Sequence, residues 1–205
     1  MNIISFNDNF VLKSCILTLG NFDGVHLGHK HLITSMKELS TETKLPILLL
    51  TFNQHTNEVL FEKSIEILSP QNLKFEKLSK TNIDYVSLID FNKDFSKMDI
   101  DEFMNLVIQK YNPTYFFIGY DNKFGYKRKG SYEYFTSSTI YNKISFKTSN
   151  PLFSGDKEVK SSLIKKEIKN GNISLANKFL GYYYKIIGKV IKGNGIGRKI
   201  GFPTA

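Results

Sequence analysis

The stretch Gly20-Asn21-Phe22-Asp23-Gly24-Val25-His26-Leu27-Gly28-His29 decides how this 205-residue chain is expected to fold. It follows an apolar run, Cys15 to Leu19, that is typical of a short buried strand. It precedes a segment, Lys30 to Leu39, in which apolar residues recur at helical spacing. Free backbone N–H groups and the positive end of the helix dipole attract anions at the start of a helix. The junction therefore predicts a place to hold phosphates.

The glycines of this stretch are expected to bring the backbone close to a ligand. Gly20 and Gly24 permit a tight turn. Gly28 removes a side chain from between His26 and His29, so that both imidazoles can add donors directed at the same spot. The alternative is an ordinary turn with two surface histidines. The ten-residue arrangement at the carboxyl end of a strand favours the phosphate site.

Strand-like and helical patterns alternate along the chain. Apolar runs that predict strands are Cys15 to Leu19, Pro46 to Phe52, Tyr85 to Ile89 and Tyr115 to Ile118. Helical spacing is found in Leu32 to Leu39, Leu73 to Leu78 and Phe103 to Ile108. This alternation predicts an α/β fold with a parallel sheet and crossover helices.

The pattern changes after the fourth predicted strand. From Gly119 to Ser138, glycine, aromatic and basic residues follow no helical period, which predicts a long loop or flap. A further strand is predicted at Ile140 to Phe146. A helix is predicted from Ser162 to Lys169, ended by Gly171.

Composition places the chain among globular proteins and excludes several classes. It is 41% hydrophobic and 14% aromatic. Cys15 is the single cysteine, and the longest apolar run, Pro46 to Leu50 with Phe52, is far below the roughly 20 residues of a membrane helix. The start of the sequence lacks the pattern of an export signal. We therefore expect a soluble cytoplasmic protein with no membrane partner.

The formal net charge of +9 suits anionic ligands of any size. The basic residues are scattered, with local clusters only at Lys127 to Lys129 and at Lys165 and Lys166. No nucleic-acid partner is therefore expected. The composition makes no prediction of oligomeric state.

Three further segments carry polar side chains that suit chemistry. Thr51-Phe52-Asn53-Gln54-His55 ends the second predicted strand, on the same sheet edge as His26. Ile118 to Gly125 places Asp121 just past the fourth strand, where it suits Mg2+ or a substrate hydroxyl. In Lys160 to Lys165, the hydroxyls of Ser161 and Ser162 suit a phosphate, with Lys165 one turn into the helix. The alternatives are a loop histidine at residue 55, an ordinary turn aspartate, and helix capping by the serines.

Together these segments resemble the bacterial bifunctional riboflavin kinase/FAD synthetase family. Residues 20–29 are very similar to its adenylyltransferase signature, including the His-x-Gly-His of the wider nucleotidylyltransferase superfamily. Residues 51–55, 118–125 and 160–165 resemble three further segments of the family, in the same order along the chain. The resemblance implies a Rossmann-like nucleotidylyltransferase domain of the α/β class.

Several residues depart from the family pattern. Asn122 stands where the family usually has Phe, Gln54 where it has Pro, and Lys165 where it has Arg. The other departures are Asn53, Thr56, Lys160 and Ser162. Lysine keeps the charge of arginine but lacks its planar two-pronged donor, which predicts weaker holding of a triphosphate. Without the fixed backbone angle of proline, the loop that bears His55 is expected to be looser.

The last part of the chain resembles the start of the family's riboflavin kinase module. An alternating β-like run, Tyr184 to Ile191, is followed by a glycine-rich motif, residues 193–205, that ends in Gly-Phe-Pro-Thr-Ala. We predict a boundary near Gly181, with an adenylyltransferase domain in residues 1–181 and an incomplete β segment in residues 182–205. Segments this short rarely build a core, so kinase activity is not expected of these residues. Thr204 matches the family's Mg2+-linked threonine.

The resemblance implies transfer of AMP from ATP to the phosphate of FMN, giving FAD and pyrophosphate. A phosphate monoester with a second pKa near about 6 is largely ionised at pH 7, so no strong base is required. Positioning and electrostatics should carry catalysis, with Mg2+ as cofactor. The catalytic residues implied are His26, His29 and Lys165.

The resemblance also divides the remaining residues between the two substrates. The implied ATP-binding residues are Gly20, Phe22, Asp23, Gly24, Gly28, Ser161 and Ser162. The implied FMN-binding residues are His55, Asp121, Asn122 and Phe124. Two other interpretations remain: a nucleotidylyltransferase with a different phosphorylated acceptor, and a flavin- or nucleotide-binding remnant without activity.

Overall fold

A six-stranded parallel sheet forms the centre of the computed structural model, which describes residues 1–62, 65–191 and 196–202. Its strands are β1 (Asn2–Ser5), β2 (Cys15–Leu19), β3 (Ile47–Phe52), β4 (Tyr85–Ile89), β5 (Pro113–Phe117) and β6 (Ser145–Lys147). They lie in the order β1-β4-β3-β2-β5-β6, and every neighbouring pair is parallel. Two short antiparallel strands, β7 (Phe153–Ser154) and β8 (Lys157–Glu158), form a separate pair.

Helices connect the strands and cover the sheet. They are α1 (Leu27–Thr43), α2 (Thr56–Phe61), α3 (Gln71–Ser79), α4 (Lys93–Ser96), α5 (Ile100–Tyr111), α6 (Tyr132–Ser137), α7 (Ser161–Lys169), α8 (Ile173–Leu180) and α9 (Ile196–Lys199). Single 3-10 turns span Asp23–Val25, Tyr126–Arg128 and Thr139–Tyr141. The α/β class and the parallel sheet predicted from the sequence are confirmed.

The central strands are apolar on both faces because helices cover both faces. Neighbouring residues of β2 point to opposite sides, so that Ile16 packs with α1 and Leu17 with α5. Leu48 and Leu49 of β3 divide in the same way. All residues of β2 and β3 are buried, which explains why these strands read as continuous apolar runs rather than alternating ones.

The strand order places a crevice at the carboxyl ends of β2 and β5. The chain proceeds from β2 outward through β3 and β4, then crosses back to β5 on the other side of β2. Ligands of open α/β sheets bind at such a reversal of strand order. The segments that follow these two strands, residues 20–26 and 118–122, lie at this edge.

Besides the two apolar clusters on the faces of the sheet, a third cluster packs at the sheet edge from the C-terminal side. It joins the segment before α3 to residues 159–180, which include α7 and α8, and its buried members are Leu68, Val159, Ile164, Ala176, Phe179 and Leu180. Leu68 and Leu180 both lie against Gly24 of the turn after β2. The third cluster therefore holds the helices α7 and α8 beside that turn.

The strand predicted at Ile140 to Phe146 is wrong over most of its length. The structure has a 3-10 turn at Thr139–Tyr141, and β6 begins only at Ser145. Tyr141 is buried and its hydroxyl donates to Asp101 at 2.5 Å, which turns the chain inward before the strand begins. The loop predicted from Gly119 to Ser138 also contains the helix α6.

The alternating run Tyr184 to Ile191 is not part of any strand in the described residues. Its apolar side chains Ile186, Val190 and Ile191 are exposed. A strand is stable only when neighbouring strands complete its backbone hydrogen bonds, and within the described residues none lies beside this run. Thr204 lies outside the described residues, and the domain boundary near Gly181 stays a prediction.

Candidate active site

The turn after β2 contains three residues with left-handed backbone conformation. Phe22, Gly24 and Val25 have φ values of 50°, 77° and 38°, all in the left-handed region. His26 returns to extended backbone and caps α1 at its amino end. Two non-glycine residues in this region cost free energy, which the surrounding structure must offset. Such strain is concentrated in proteins at sites that bind ligands.

Two glycines of the turn are required by close packing. A Cβ on Gly24 would lie 2.9 Å from the Cβ of Leu68, and one on Gly28 would lie 2.7 Å from the carbonyl oxygen of Val159. The same atom on Gly28 would lie 3.1 Å from the ring of His26. Gly28 thus leaves room between His26 and Val159, and not between the two histidines as the sequence predicted.

The two histidines of the turn are stacked on each other. Their ring centroids lie 3.7 Å apart with 22° between the planes, and the ring of Phe22 lies 5.0 Å from that of His29. His26 is buried, and the Nδ1 atoms of both rings are buried without a hydrogen-bond partner in the described part of the chain. Buried polar atoms are normally paired, so these nitrogens have hydrogen-bonding capacity to offer a ligand.

Burial keeps both imidazoles neutral. It lowers the pKa of His26 from 6.5 to about 4, with a further lowering by Lys30 and an opposing effect of Asp23. Burial, then the neighbouring His26 and Lys74, holds the pKa of His29 well below 6.5. A neutral imidazole still donates one N–H. Both rings are therefore suited to donate hydrogen bonds and not to carry positive charge at pH 7.

Asp23 links the turn to two other segments. Its Oδ1 accepts from the backbone N–H groups of Leu68 and Ser69 at 2.8 and 3.2 Å, and its Oδ2 lies 2.7 Å from Nζ of Lys165. The hydroxyl of Ser161 donates to the carbonyl of Asp23 at 3.2 Å. The ammonium of Lys165, which the sequence predicted to hold phosphates, is thus paired with the carboxylate of Asp23. Asp23 belongs to residues 20–29, which we call the signature turn.

Two cavities open at this edge of the sheet and share part of their walls. The smaller, of about 310 Å³, is bounded by the histidines, residues 149–152 and the start of α7. The larger, of about 740 Å³, extends from the turn after β2 to α2, α4 and the loop 122–128. Both are lined by His29, Leu32, Gly119, Asp121 and Ser161. Volumes of this size are typical of small-molecule sites.

The larger cavity, which we call the aromatic cleft, is lined by phenylalanine rings. Those that face it are Phe22, Phe52, Phe61, Phe91, Phe95, Phe103 and Phe124. Phe61 of α2 is 64% exposed and Leu60 beside it is 52% exposed. Exposed apolar side chains that line a concave surface are typical of a ligand site. The aromatic cleft suits a flat, largely apolar ring system.

The segment after β5 contributes to both cavities. Asp121 is exposed where they meet, and Asn122 donates from Nδ2 to the carbonyl of Leu19 at 2.8 Å. This bond ties the segment to the end of β2. Phe124 is half-buried and stacks on Phe135 at 5.6 Å, while it also lines the aromatic cleft.

His55 lies at the start of α2 and faces the aromatic cleft. Its Nδ1 accepts from the backbone N–H of Asn57 at 3.3 Å, so the ring caps the helix. Burial, followed by the positive charge of Lys165, lowers its pKa from 6.5. A neutral ring is consistent with the acceptor role that capping requires.

Ser161 and Ser162 lie at the start of α7, beside the smaller cavity. Lys160 occupies the N-cap position of α7 without a capping hydrogen bond from its side chain, and both serines lie inside the helix, where neither forms the cap. The alternative of ordinary capping is therefore wrong for both serines. Ser161 also lines the aromatic cleft, which places it where the two cavities meet.

Lys74 of α3 is a buried residue beside the ends of β2 and β3 that the sequence did not single out, and it lines neither cavity. Its ammonium donates to the carbonyls of Asn21 and Phe52 at 3.4 and 3.1 Å, and to the hydroxyl of Thr51 at 3.2 Å. Burial lowers its pKa from 10.5 to about 8, against the opposing effect of Asp23. One signal was available, since Lys74 falls one helical turn before Leu78, on the apolar face of α3.

Comparison with known proteins identifies the family. The FAD synthetase family model matches residues 9–163, which include the signature turn, β3 to β5 and the start of α7. The chain belongs to the FAD synthetase family. A riboflavin kinase model matches residues 180–205, the part that resembles the start of that module. The resemblance stated from the sequence is thus confirmed.

Curated relatives extend beyond the length of this chain. Bifunctional riboflavin kinase/FMN adenylyltransferases of Haemophilus influenzae and of Buchnera aphidicola are 32% and 31% identical, over 97% and 100% of this chain. The Bacillus subtilis enzyme of the same description is 32% identical over 93% of this chain. The chain spans 65%, 64% and 60% of these three relatives, respectively.

A solved structure shares the fold. A crystal structure described as a macrolide-efflux protein from Streptococcus pneumoniae superposes with a TM-score of 0.82 at 25% identity. The match covers 98% of this chain and 67% of that one. In the described residues of this FAD synthetase family member, no helix has the length and apolarity needed to cross a membrane.

Few side chains at the two cavities could bind Mg2+. Among the described residues, no three His, Cys, Asp or Glu side chains are grouped to hold a metal ion. Mg2+ is commonly held by one or two carboxylates together with substrate phosphates. Asp121, an exposed carboxylate where the two cavities meet, fits that arrangement.

Proposed function

We propose that this chain is an FMN adenylyltransferase that transfers AMP from ATP to the phosphate of FMN. The observation that carries the proposal is the pair of joined cavities with shared walls at His29, Asp121 and Ser161. A transfer between two bound molecules requires their reacting groups to meet within van der Waals distance. Two cavities of different chemistry that meet at polar residues suit that requirement.

The smaller cavity suits ATP. It contains His26, Gly28 and His29 of the signature, and the start of α7 with Ser161 and Ser162. Neutral imidazoles, the hydroxyl of Ser162 and the amino ends of helices all donate to phosphate oxygens without a buried cation, whereas the hydroxyl of Ser161 already donates to the carbonyl of Asp23. Lys165 would contribute through Asp23, because their ion pair fixes the turn that bears the donors.

The aromatic cleft suits FMN. Phe124 and the other rings offer apolar surfaces to an isoalloxazine, while His55 and Asn122 lie along the same wall. Because Nδ2 of Asn122 uses one N–H on the carbonyl of Leu19, its Oδ1 and its second N–H are left for a substrate. A small phosphorylated alcohol would leave most of these rings uncovered, which favours the flavin acceptor.

The reaction needs no strong base. An oxygen of the FMN phosphate attacks the α-phosphorus of ATP, the bond from that phosphorus to the bridging oxygen breaks, and pyrophosphate leaves with the electron pair. His26 and His29 donate hydrogen bonds to phosphate oxygens as negative charge shifts toward pyrophosphate. Asp121 would hold Mg2+, whose chemistry is to offset charge on the phosphates.

A competition between acceptors tests the proposal. The chain is incubated with ATP and Mg2+, with FMN or with a small phosphorylated alcohol such as glycerol 3-phosphate, and products are separated by chromatography. We expect FAD from FMN and no adenylylated alcohol. Adenylylation of the alcohol alone would support a different nucleotidylyltransferase. Binding of ATP and FMN without any product would support a binding remnant without activity.

A further inference from the structure

Tyr182 makes a direct hydrogen bond to the signature turn. Its hydroxyl donates to the carbonyl of Gly24 at 2.5 Å, across a long separation in sequence. Tyr182 follows the end of α8, where Gly181 has a left-handed φ of 72°. It lies outside residues 9–163 of the FAD synthetase match and within residues 180–205 of the riboflavin kinase match.

The segment that carries Tyr182 packs against the start of α1 and against Lys77 of α3. Nζ of Lys77 lies 4.4 Å and Nζ of Lys30 5.5 Å from the centre of the tyrosine ring, both in cation–π geometry. Lys30 also approaches the carbonyl of Leu180 at 3.5 Å. A Cβ on Gly181 would lie 2.5 Å from the side chain of Leu27, so only glycine fits there. These contacts fix the tyrosine ring and aim its hydroxyl.

The hydroxyl of Tyr182 can act only as the donor in this bond. Gly24 offers a carbonyl, which accepts, and burial raises the pKa of Tyr182 from 10.0 to about 12, so the phenol keeps its proton. The N–H of Gly24 donates in turn to the hydroxyl of Ser69 at 3.0 Å. Both backbone groups of Gly24 are therefore held by side chains from outside the turn.

This restraint acts on a strained connection. Phe22, Gly24 and Val25 all have left-handed φ values, and such a conformation persists only where the surroundings determine it. Without the hydroxyl of Tyr182, the carbonyl of Gly24 loses its partner and the turn can relax. The histidines follow directly after Val25, so relaxation would move the donors that face the smaller cavity.

We infer that Tyr182 is a positioning residue for the ATP cavity, acting through the carbonyl of Gly24, so that a residue of the kinase-matching segment sets the affinity for the triphosphate. The inference rests on the proposed function for the identity of the ligand. It also couples the two matched segments: a change in the chain after α8 reaches the signature turn through one hydrogen bond.

The test compares Tyr182→Phe with Tyr183→Phe. Each variant loses one hydroxyl, and Tyr183 is 83% exposed, which makes it a matched control. Titration calorimetry with α,β-methylene ATP gives the dissociation constant and the stoichiometry, well below the unfolding temperature of each variant. We expect Tyr182→Phe to bind about three- to tenfold more weakly, the effect of one hydrogen bond, and Tyr183→Phe to match the parent.

Steady-state kinetics separates positioning from a loss of folded protein. Tyr182→Phe should raise KM for ATP and lower kcat, because the two histidines shift with the turn, and it should leave KM for FMN unchanged. A purely structural role would lower the calorimetric stoichiometry and leave the dissociation constant and KM for ATP unchanged, which overturns the inference. Equal affinity of both variants and the parent overturns it as well.

The two proposals fail differently. If the parent binds the ATP analogue and makes no FAD, the proposed function fails, while the comparison of dissociation constants still decides the role of Tyr182. If the parent makes FAD and Tyr182→Phe binds as tightly as the parent, only the role of Tyr182 fails. Absence of ATP binding by the parent overturns both.

Discussion

The carboxylate of Asp23 lies 2.7 Å from the ammonium of Lys165, and this ion pair joins the signature turn to the start of α7. Both side chains are largely shielded from water, with 5% and 22% of their side-chain surface exposed. Asp23 also accepts two backbone N–H groups from residues 68 and 69. The pair thus fixes three segments: the signature turn, α7 and residues 68 and 69.

Loss of the Lys165 ammonium should destabilise the chain. Lys165→Met leaves the buried carboxylate of Asp23 without its cation, which we expect to lower the free energy of unfolding by about 3 kcal/mol. Lys165→Arg keeps the charge and adds a planar fork that can serve Asp23 and a phosphate together, so it should retain stability and lower KM for ATP.

Urea denaturation and ATP-dependent rates measure these two effects. The exposed neighbour Lys166→Met is the control and should change the free energy of unfolding by less than about 0.5 kcal/mol. A Lys165→Met protein as stable as this control would show that Asp23 does not depend on its partner.

The neutral state of His26 predicts that the chain loses stability in mild acid. Its pKa is about 4 in the folded chain, against 6.5 when exposed, so between these values the unfolded chain binds more protons. Stability therefore falls as pH drops below 6.5 and stops falling near pH 4. From pH 7.5 to pH 5, His26 alone should account for a loss of about 2 kcal/mol.

Denaturation of the parent and of His26→Asn at both pH values tests this prediction. Asparagine does not titrate, so the variant should lose about 2 kcal/mol less than the parent over the same interval. An identical pH dependence of the two proteins would show that His26 is not held neutral by burial.

Lys74 should support both the fold and the site. Lys74→Met fills a similar volume but removes the ammonium that donates to the carbonyls of Asn21 and Phe52 and to the hydroxyl of Thr51, and of these the carbonyl of Asn21 keeps its bond from Thr51. Buried acceptors without partners cost about 1–3 kcal/mol, and displaced strand ends should also lower kcat. Thermal unfolding and FAD formation give the two readouts.

Lys80→Met is the matched control for Lys74. The side chain of Lys80 is 67% exposed and, among the described residues, pairs only with Glu76, in the surface geometry that contributes little to stability. We expect it to behave as the parent in both assays. If the two methionine variants were indistinguishable, the buried lysine would have no role in holding the strand ends together.

The exposed ring of Phe61 should bind substrate rather than stabilise the chain. Phe61→Ala removes apolar surface from the aromatic cleft but little from the core, so KM for FMN should rise about tenfold with an unchanged unfolding temperature. Phe153→Ala is the control, since this ring is 57% exposed and lines neither cavity. Equal KM values for the two variants would remove α2 from the flavin site.

Local patterns predicted the centre of the fold and the position of the site. The apolar runs of β2, β3 and β4 and the spacing in α1 and α5 are confirmed, because the strands are buried apolar runs and the helices are long and periodic. β1 and α8 were not predicted. β1 lies at the sheet edge with little burial, and its four residues carry no distinct pattern.

Contacts between distant segments were beyond sequence reasoning. Lysines are normally solvated, and Lys74 is buried only because carbonyls from two strand ends converge on it. Tyr182 meets Gly24 through the packing of α8, which no spacing along the chain encodes. The sequence placed Lys165 in the helix beside the predicted phosphate site, but it did not predict the ion pair with Asp23.

Phosphorus NMR of the parent and of His29→Ala tests the central claim, that the two-histidine turn carries adenylyl transfer to FMN. With ATP, FMN and Mg2+, the parent should release pyrophosphate and FAD in equal amounts, with no ADP. His29→Ala loses one hydrogen-bond donor to the transition state, so its kcat should fall by a factor of about 10²–10³. His31 lines neither cavity, so His31→Ala is the control and should keep the parent rate. Formation of ADP in place of pyrophosphate, or full turnover by folded His29→Ala, would contradict the claim.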